Sequence, residues 1–190
     1  MSLAERIALV NEKIAAAARQ AGREPSEVTL VAATKVQTSD TIRQAIAAGV
    51  TICGENRVQE MTAHLDDDAY AGAALHFIGH LQTNKVRQVV GRVELIESVG
   101  SEHLLEAIEA QAAKLELVQD ILLEVNIGGE ASKSGISPEE LSALAAQAVG
   151  SPHVLFRSPC APAGAHGNPS RGRRAGRKPP VFCKNASALC

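Results

Sequence analysis

The sequence contains very few aromatic residues: among its 190 residues there is no Trp, one Tyr and three Phe. Proteins that bind single-stranded nucleic acid stack its bases on aromatic side chains, so this function is poorly supported. Long apolar runs are also missing from the N-terminal segment MSLAERIALVNEK, which carries several charged residues. We therefore expect neither a signal peptide nor a membrane anchor, and a cytoplasmic protein.

Cysteine pairs with the spacing of metal ligands are absent. The four cysteines, at positions 53, 160, 183 and 190, form no C-x-x-C motif, and Cys53 lies in an apolar segment. This distribution argues against a zinc site and against a disulfide framework. We expect reduced thiols and no bound metal.

Acidic residues are absent from the last forty residues of the chain. All 21 Asp and Glu residues precede position 151, whereas residues 151–190 contain seven Lys and Arg and six of the eight prolines. Hydrophobic periodicity is lost there as well, which is typical of a disordered segment. We predict a folded domain over residues 1–153 and a poorly ordered basic tail over residues 154–190, in which HVLFR is at best a remnant sixth strand.

Apolar, strand-like segments alternate with helical segments in the first part of the chain. A leading helix precedes predicted strands at residues 28–36, 50–56, 75–80, 93–99 and 120–127. Further helices are predicted at residues 39–49, 57–65, 84–91, 101–115 and 137–150. The alternation predicts parallel strands joined by helices, and the near-continuous apolar runs predict that both faces of the sheet are covered.

Capping residues predict where several of these helices start. Ser2 and Ser137 each precede a glutamate by three residues, which is the pattern of a capping box. Pro138 follows at a first-turn position that suits proline. Either Ser39 or Asp40 is expected to cap the helix over residues 39–49.

Two architectures fit this alternation, a doubly wound sheet and a (β/α)8 barrel. No G-x-G-x-x-G follows the first strand and no G-x-x-x-x-G-K-[ST] occurs, so a dinucleotide fingerprint and a P-loop are both missing. We therefore favour an α/β fold of the TIM type, an incomplete (β/α)8 barrel. Active sites of such barrels gather at the carboxyl ends of the strands. Polar residues recur at those ends, namely Lys35, Glu55, Asn56, His80, Ser98 and Asn126.

Lys35 ends the apolar run LVAATKV, where a buried and unpaired ammonium would be costly. It is either a strand-end lysine whose ammonium reaches water or a lysine that forms a Schiff base. The second role needs a free amine, and at the reference pKa of about 10.4 only about one lysine in a few thousand is neutral at pH 7. Desolvation in a barrel mouth would lower that pKa. An aldehyde cofactor such as pyridoxal 5′-phosphate would then explain the lysine.

Three other polar residues have structural as well as functional interpretations. Asn56 could cap the following helix, His80 could be a hydrogen-bonded residue at the rim, and Lys133 could be solvated in a polar turn. Each signal is weak by itself. Their combination carries more information than any one of them.

The series AATKV, GENRVQE, HFIGHLQTNK, ESVGS and LEVNIGGEASKSGI, in this order, resembles the YggS/PROSC family of pyridoxal-phosphate-binding proteins. The resemblance covers about residues 3–153. It implies a barrel like the N-terminal domain of alanine racemases, with pyridoxal 5′-phosphate joined as an imine to the lysine that matches Lys35. It also implies that Asn56 lies beside the cofactor. With the strand-end positions, the predicted cofactor-binding residues are Lys35, Asn56, His80, Ser98, Asn126 and Lys133.

The resemblance implies a binding protein that carries and buffers pyridoxal 5′-phosphate in vitamin B6 homeostasis, without an established catalytic reaction. No catalytic residue is assigned, and the expected partners are the cofactor and apoenzymes that accept it. We expect a monomer that contacts neither membranes nor nucleic acid. A racemase-like enzyme is the alternative; it would need an acid-base residue opposite Lys35, and the only tyrosine, Tyr70, lies in an acidic loop.

The resemblance ends where the composition changes. Segments with which the family continues, such as RGLM and GMS, are not found in this chain. One hypothesis is that the tail arises from an altered reading frame near codon 154, and its rival is a basic arm, RGRRAGRK, that binds nucleic acid. The missing segments resemble those that hold the phosphate, so weaker cofactor retention is expected, and an inert truncated product is a third possibility.

Overall fold

The computed structural model describes residues 1–129 and 134–157. Residues Met1–Leu30 and residues Val31–Phe156 belong to different compact units. The first unit contains helix α1 (Leu3–Gln20) and a short 3-10 helix (Pro25–Glu27). The capping box predicted at Ser2 is formed, because the Ser2 hydroxyl accepts from the Glu5 N–H and the Glu5 carboxylate accepts from the Ser2 N–H.

The second unit is one sheet of six parallel strands in chain order. The strands are β1 (Ala32–Ala33), β2 (Ile52–Glu55), β3 (Ala74–Phe77), β4 (Leu95–Val99), β5 (Gln119–Leu123) and β6 (Val154–Phe156). The helices of this unit are α2 (Ser39–Ala47), α3 (Val58–Asp66), α4 (Glu102–Lys114) and α5 (Leu141–Gly150). The predicted alternation of strands and helices is confirmed, and the consecutive order is that of a (β/α) barrel rather than a doubly wound sheet.

One face of the sheet forms the main core. Cys53 lies beside Leu75, and Phe77 lies beside Ile96, which in turn lies beside Ile121. All of these side chains are buried, and burying each large one stabilises the fold by about 1.5–3 kcal/mol. Helices α3 and α4 pack on this side through residues such as Met61, Leu105 and Ile108, which are fully buried.

The first strand is shorter and more exposed than the sequence predicts. Only Ala32 and Ala33 form β1, and neither is buried. The physical reason is that β1 pairs only with β2, so its other edge has no neighbouring strand within the described part of the chain. The expected buried strand over residues 28–36 is therefore wrong in both length and burial.

Three helix predictions also need correction. The helix predicted over residues 84–91 is a shorter 3-10 helix (Thr83–Gln88), and no side chain in the described ranges caps its first turn. The cap of α2 is Thr38, one residue before the predicted pair, and its hydroxyl accepts from the Thr41 N–H at 3.2 Å. Helix α5 begins at Leu141, because residues 137–140 form a turn instead.

The short strand β6 pairs with β5, so the remnant sixth strand expected in HVLFR is formed. The predicted domain boundary after residue 153 stays a prediction. The tail from residue 158 onwards, including three of the four cysteines, lies outside the described residues. Cys53 is a buried free thiol, and burial raises its pKa to about 11.

Candidate functional site

Lys35 lies in a tight turn at the carboxyl end of β1. The turn is closed by the Gln37 N–H, which donates to the Thr34 carbonyl at 3.1 Å. Its third residue, Val36, has a φ of 56°, in the left-handed region that β-branched residues rarely adopt. Lys35 is exposed, so the desolvated setting expected for its amine is not formed by the described residues.

The residues on either side of Lys35 are both bonded to residues 54–60, Thr34 to the end of β2 and Val36 to the first turn of α3. Thr34 donates its N–H to the Gly54 carbonyl at 2.9 Å and its hydroxyl to Glu55 Oε1 at 2.5 Å. Val36 donates its N–H to Glu60 Oε2 at 3.1 Å. This bond, together with the nearby Arg57 guanidinium, lowers the pKa of the Glu60 carboxyl below its usual value.

Glu55 is completely buried at the centre of a polar cluster on the helix-facing side of the sheet. Its Oε1 accepts from the Tyr70 hydroxyl at 2.8 Å and lies 3.3 Å from His64 Nδ1. Its Oε2 has no hydrogen-bond partner among the residues described. Burial and the bond to Glu55 raise the pKa of Tyr70 above its usual value.

Asn56 lies at the carboxyl end of β2, in close contact with the end of β3. A Cβ atom on Gly79 would lie 2.2 Å from the Asn56 carbonyl oxygen, so only glycine fits at this crossing. Asn56 Oδ1 is buried without a partner in the described ranges. The alternative interpretation of Asn56 as a helix cap is wrong, because the cap position of α3 is occupied by Arg57.

A cleft of about 730 Å³ lies at the ends of β3, β4 and β5. It brings together two predicted residues, His80 and Ser98. Ser98 is 2% exposed, and its Oγ has no partner among the residues that the structure describes. Lys35 and Asn56 do not line this cleft.

Asn126 lines a neighbouring hollow of about 470 Å³ rather than the larger cleft. Gly135 lines both spaces and is therefore their common wall. Its φ of 109° and the 2.9 Å between its ideal Cβ position and Asn126 N require glycine there. Lys133, the last predicted residue, lies outside the described residues.

Several polar groups at this edge were missed by the sequence analysis. Ser101, Glu124 and Ser134 line the main cleft. His76 and Glu97 form a buried pair, with His76 Nδ1 2.8 Å from Glu97 Oε1. The signal for this pair is present in the sequence, because each residue is an ionisable group at an interior position of a predicted strand.

Residues 10–159 match the family model of the alanine racemase N-terminal domain. The chain is 39% identical over 154 residues to the pyridoxal phosphate homeostasis protein of Aquifex aeolicus, a match that covers 81% of this chain and 68% of that relative. The chain belongs to the pyridoxal phosphate homeostasis protein family. The family resemblance inferred from GENRVQE and its neighbours is thereby confirmed.

Two solved structures are similar to this chain in both fold and sequence. An unknown protein from Bifidobacterium adolescentis is 38% identical, with a TM-score of 0.76, over 81% of this chain and 66% of that protein. PipY of Synechococcus elongatus with pyridoxal phosphate bound is 31% identical, with a TM-score of 0.68, over 82% of this chain and 68% of PipY. The chain thus spans about two thirds of the length of these proteins.

The described residues provide neither a metal-binding cluster nor a helix suited to a membrane. No group of three or more His, Cys, Asp or Glu side chains in residues 1–129 and 134–157 could hold a metal ion. Among the helices described, none combines the length and the apolar character needed to cross a bilayer.

Proposed function

We propose that this chain binds pyridoxal 5′-phosphate covalently through Lys35 and acts as a carrier in pyridoxal phosphate homeostasis. The observation that carries the proposal is an exposed lysine held in a fixed turn at the carboxyl end of β1. Support comes from PipY, which is similar over most of this chain and was solved with pyridoxal phosphate bound.

The residues at this edge of the sheet fit such a cofactor. The main cleft, about 730 Å³ in volume, is within the usual size of small-molecule sites. Ser98 Oγ is buried beside it without a partner in the described ranges, and so is available to a ligand oxygen. Ser101 and Ser134 add hydroxyl groups that would serve the same purpose.

Bound pyridoxal 5′-phosphate supplies an aldehyde, with which a lysine amine condenses and releases water. The chain contributes an amine at Lys35 and hydrogen-bonding groups at His80, Ser98 and Asn56 that would orient the ring and the phosphate. Because Lys35 is exposed, water reaches the amine freely. Reversible loading and release is the behaviour expected of a carrier in such a setting.

Homeostasis, rather than turnover of a substrate, is supported by the names of the relatives, which are not those of enzymes. A racemase-like enzyme would need a second proton-transfer group facing Lys35. Tyr70 is 6% exposed and its hydroxyl is bonded to Glu55, so it offers no support for that alternative. Apoenzymes as acceptors, a monomeric state and a cytoplasmic location complete the proposal.

The test is to locate the covalent bond. The purified protein is incubated with pyridoxal 5′-phosphate, its visible absorption is recorded, and borohydride reduction is followed by peptide mapping. We expect the label on Lys35 and a loss of both absorption and label in Lys35→Ala. The matched control is Lys114→Ala, which removes another exposed lysine at the end of α4 and should change neither.

The assignment fails if the label is absent from Lys35 or is found on Lys133 alone. A protein that stays colourless with excess cofactor, as Lys35→Ala does, would refute the carrier function for this chain. Turnover of an amino acid by the loaded protein would instead favour the enzyme.

A further inference from the structure

Lys35 lies between two anchored residues, Thr34 and Val36, and both anchors come from the segment over residues 54–60. The segment therefore holds the turn from both sides at once. The Thr34 anchor is buried, whereas the Val36 anchor lies at the surface, so only the second can be altered without disturbing the core.

The backbone at Val36 depends on hydrogen bonds for its conformation. Its side chain is 79% exposed, so packing contributes little to holding the residue in the left-handed region. The turn bond between Gln37 N–H and the Thr34 carbonyl fixes one side of the residue. The bond from Val36 N–H to Glu60 fixes the residue itself.

The Glu60 carboxylate is itself fixed in position, because both of its oxygens accept hydrogen bonds. Oε2 accepts from Val36 N–H at 3.1 Å, and Oε1 lies 3.0 Å from Arg57 Nη1. The side chain of Glu60 is 25% exposed, against 70% for Arg57. The carboxylate is thus held in the first turn of α3 and directed at the turn that carries Lys35.

We propose that Glu60 is a positioning residue for Lys35, which fixes Val36 and thereby holds the lysine in the conformation that captures pyridoxal 5′-phosphate. The inference rests on the proposed function, in which Lys35 binds that cofactor. Glu60 acts through the backbone of the turn, so any hydrogen-bond acceptor of the same length should replace it.

The experiment measures the rate at which Lys35 is labelled by pyridoxal 5′-phosphate and borohydride, and the labelling of Lys114 by a general amine-reactive reagent, measured in parallel, is the reference. We expect Glu60→Ala to slow labelling of Lys35 about tenfold, the effect of one charge-assisted hydrogen bond, and to leave Lys114 unchanged. Glu60→Gln keeps an acceptor oxygen at the same position and should recover most of the rate. A general loss of structure would instead change the labelling rates of both lysines.

Glu140→Ala is the matched control. The Glu140 carboxylate also accepts a backbone N–H, from Ser137 at 3.0 Å, and this bond likewise lowers its pKa, but it lies in the turn before α5. We expect Glu140→Ala to capture the cofactor at the rate of the unaltered protein. Hydrogen exchange at the Val36 amide, faster in Glu60→Ala alone, reports that the intended bond is lost.

The outcomes separate the two proposals. Equal labelling of Lys35 in Glu60→Ala and the unaltered protein, with faster exchange at Val36, overturns the positioning role and leaves the proposed function intact. No labelling of Lys35 in the unaltered protein overturns the proposed function, and the positioning role with it. If Glu60→Ala does not fold, Glu60→Asp keeps the charge, is too short to reach Val36, and should show the same slow labelling.

Discussion

At the scale of single residues, a step of one position separates structural from chemical roles at the end of β1. Thr34, directly after β1, is buried, while Lys35, in the turn that follows, is exposed. Thr34 donates to the buried Glu55, whereas Lys35 keeps its amine in solvent. Within the described residues, the position of Lys35 is therefore set by the hydrogen bonds of its two neighbours in the chain.

Val36→Gly is expected to stabilise the protein. A β-branched residue in the left-handed region costs about 1–2 kcal/mol, and this exceeds the entropic cost of glycine, about 0.5–1 kcal/mol. The Val36 side chain is 79% exposed, so little packing is lost. We expect the free energy of unfolding in urea to rise by roughly 0.5–1 kcal/mol.

The control for this prediction is Val149→Gly. Val149 is also largely exposed, at 66%, but it lies in α5, where glycine lowers stability by up to about 1 kcal/mol. A decrease in stability for both variants would show that the backbone at Val36 is not strained.

Tyr70 should resist ionisation at alkaline pH. Its folded-state pKa is raised, by burial first and then by the bond to Glu55, so its contribution to stability is complete below the unfolded pKa of about 10 and is lost as the pH rises further. The chain has one Tyr and no Trp, so phenolate absorption reports this residue alone. We expect the phenolate absorption of the folded protein to develop together with the loss of circular dichroism. In urea-unfolded protein, the tyrosine should ionise near the reference pKa of about 10. Ionisation of the folded protein near pH 10 would contradict the assignment.

At the scale of secondary structure, the ends of β2 and β3 approach each other closely beside the candidate site. Asn56 follows β2, and Gly79 follows β3 at a point where any side chain would meet the Asn56 backbone. Parallel strands place these ends at the same edge of the sheet. The crossing therefore sets the position of Asn56 relative to the main cleft.

Gly79→Ala is expected to destabilise the protein and impair cofactor capture. The new Cβ would lie 2.2 Å from the Asn56 carbonyl oxygen and 2.6 Å from its Cα, and backbone atoms cannot move aside by changing rotamer. We expect a loss of about 1–3 kcal/mol in urea unfolding, and slower labelling of Lys35. Gly150→Ala is the control, because no atom of the residues described lies within 4 Å of its Cβ position and α5 should tolerate alanine. Equal stability of the two variants would contradict the close approach.

The helices and strands that could be predicted from the sequence are those that depend on residues close together in the chain. Helix α1 follows from hydrophobic spacing and from the cap Ser2, and five parallel strands with a remnant sixth follow from the alternation of strands and helices. The length of β1 could not be predicted, because its burial depends on a neighbour that a strand pattern does not reveal. The 3-10 helix over Thr83–Gln88 was missed for a related reason, since its apolar spacing suits either helix type.

Some of the contacts in the candidate site could be inferred from the sequence, and others could not. His80 follows β3 and Ser98 lies near the carboxyl end of the neighbouring β4, so their meeting in one cleft could be inferred from strand order. The hydrogen bond between Tyr70 and Glu55 could not be inferred, because Tyr70 lies in a loop fifteen positions from Glu55 in the chain. The sequence left two environments open for Lys35, a solvated strand end and a desolvated barrel mouth, and the exposed position matches the first.

At the scale of the whole sheet unit, the two outer strands, β1 and β6, have the fewest hydrogen-bonded neighbours. Each pairs on one side only within the described residues, β1 has two residues, and Leu155 of β6 is 37% exposed. Elements with few contacts open most easily. The lysine that would bind the cofactor follows one of these strands, so binding and local stability should be coupled.

Pyridoxal 5′-phosphate should therefore stabilise the protein against urea, and the turn at Lys35 should gain most protection from hydrogen exchange. Mass action predicts a rise of about 2.7 kcal/mol in the free energy of unfolding at a free cofactor concentration of 100 times Kd. Pyridoxamine 5′-phosphate has the same ring and phosphate but no aldehyde, so it should give a smaller rise. In Lys35→Ala the two compounds should act alike, because the amine that distinguishes them is gone. An equal effect of both compounds on the unaltered protein would mean that ring and phosphate contacts, and not Lys35, supply the stabilisation.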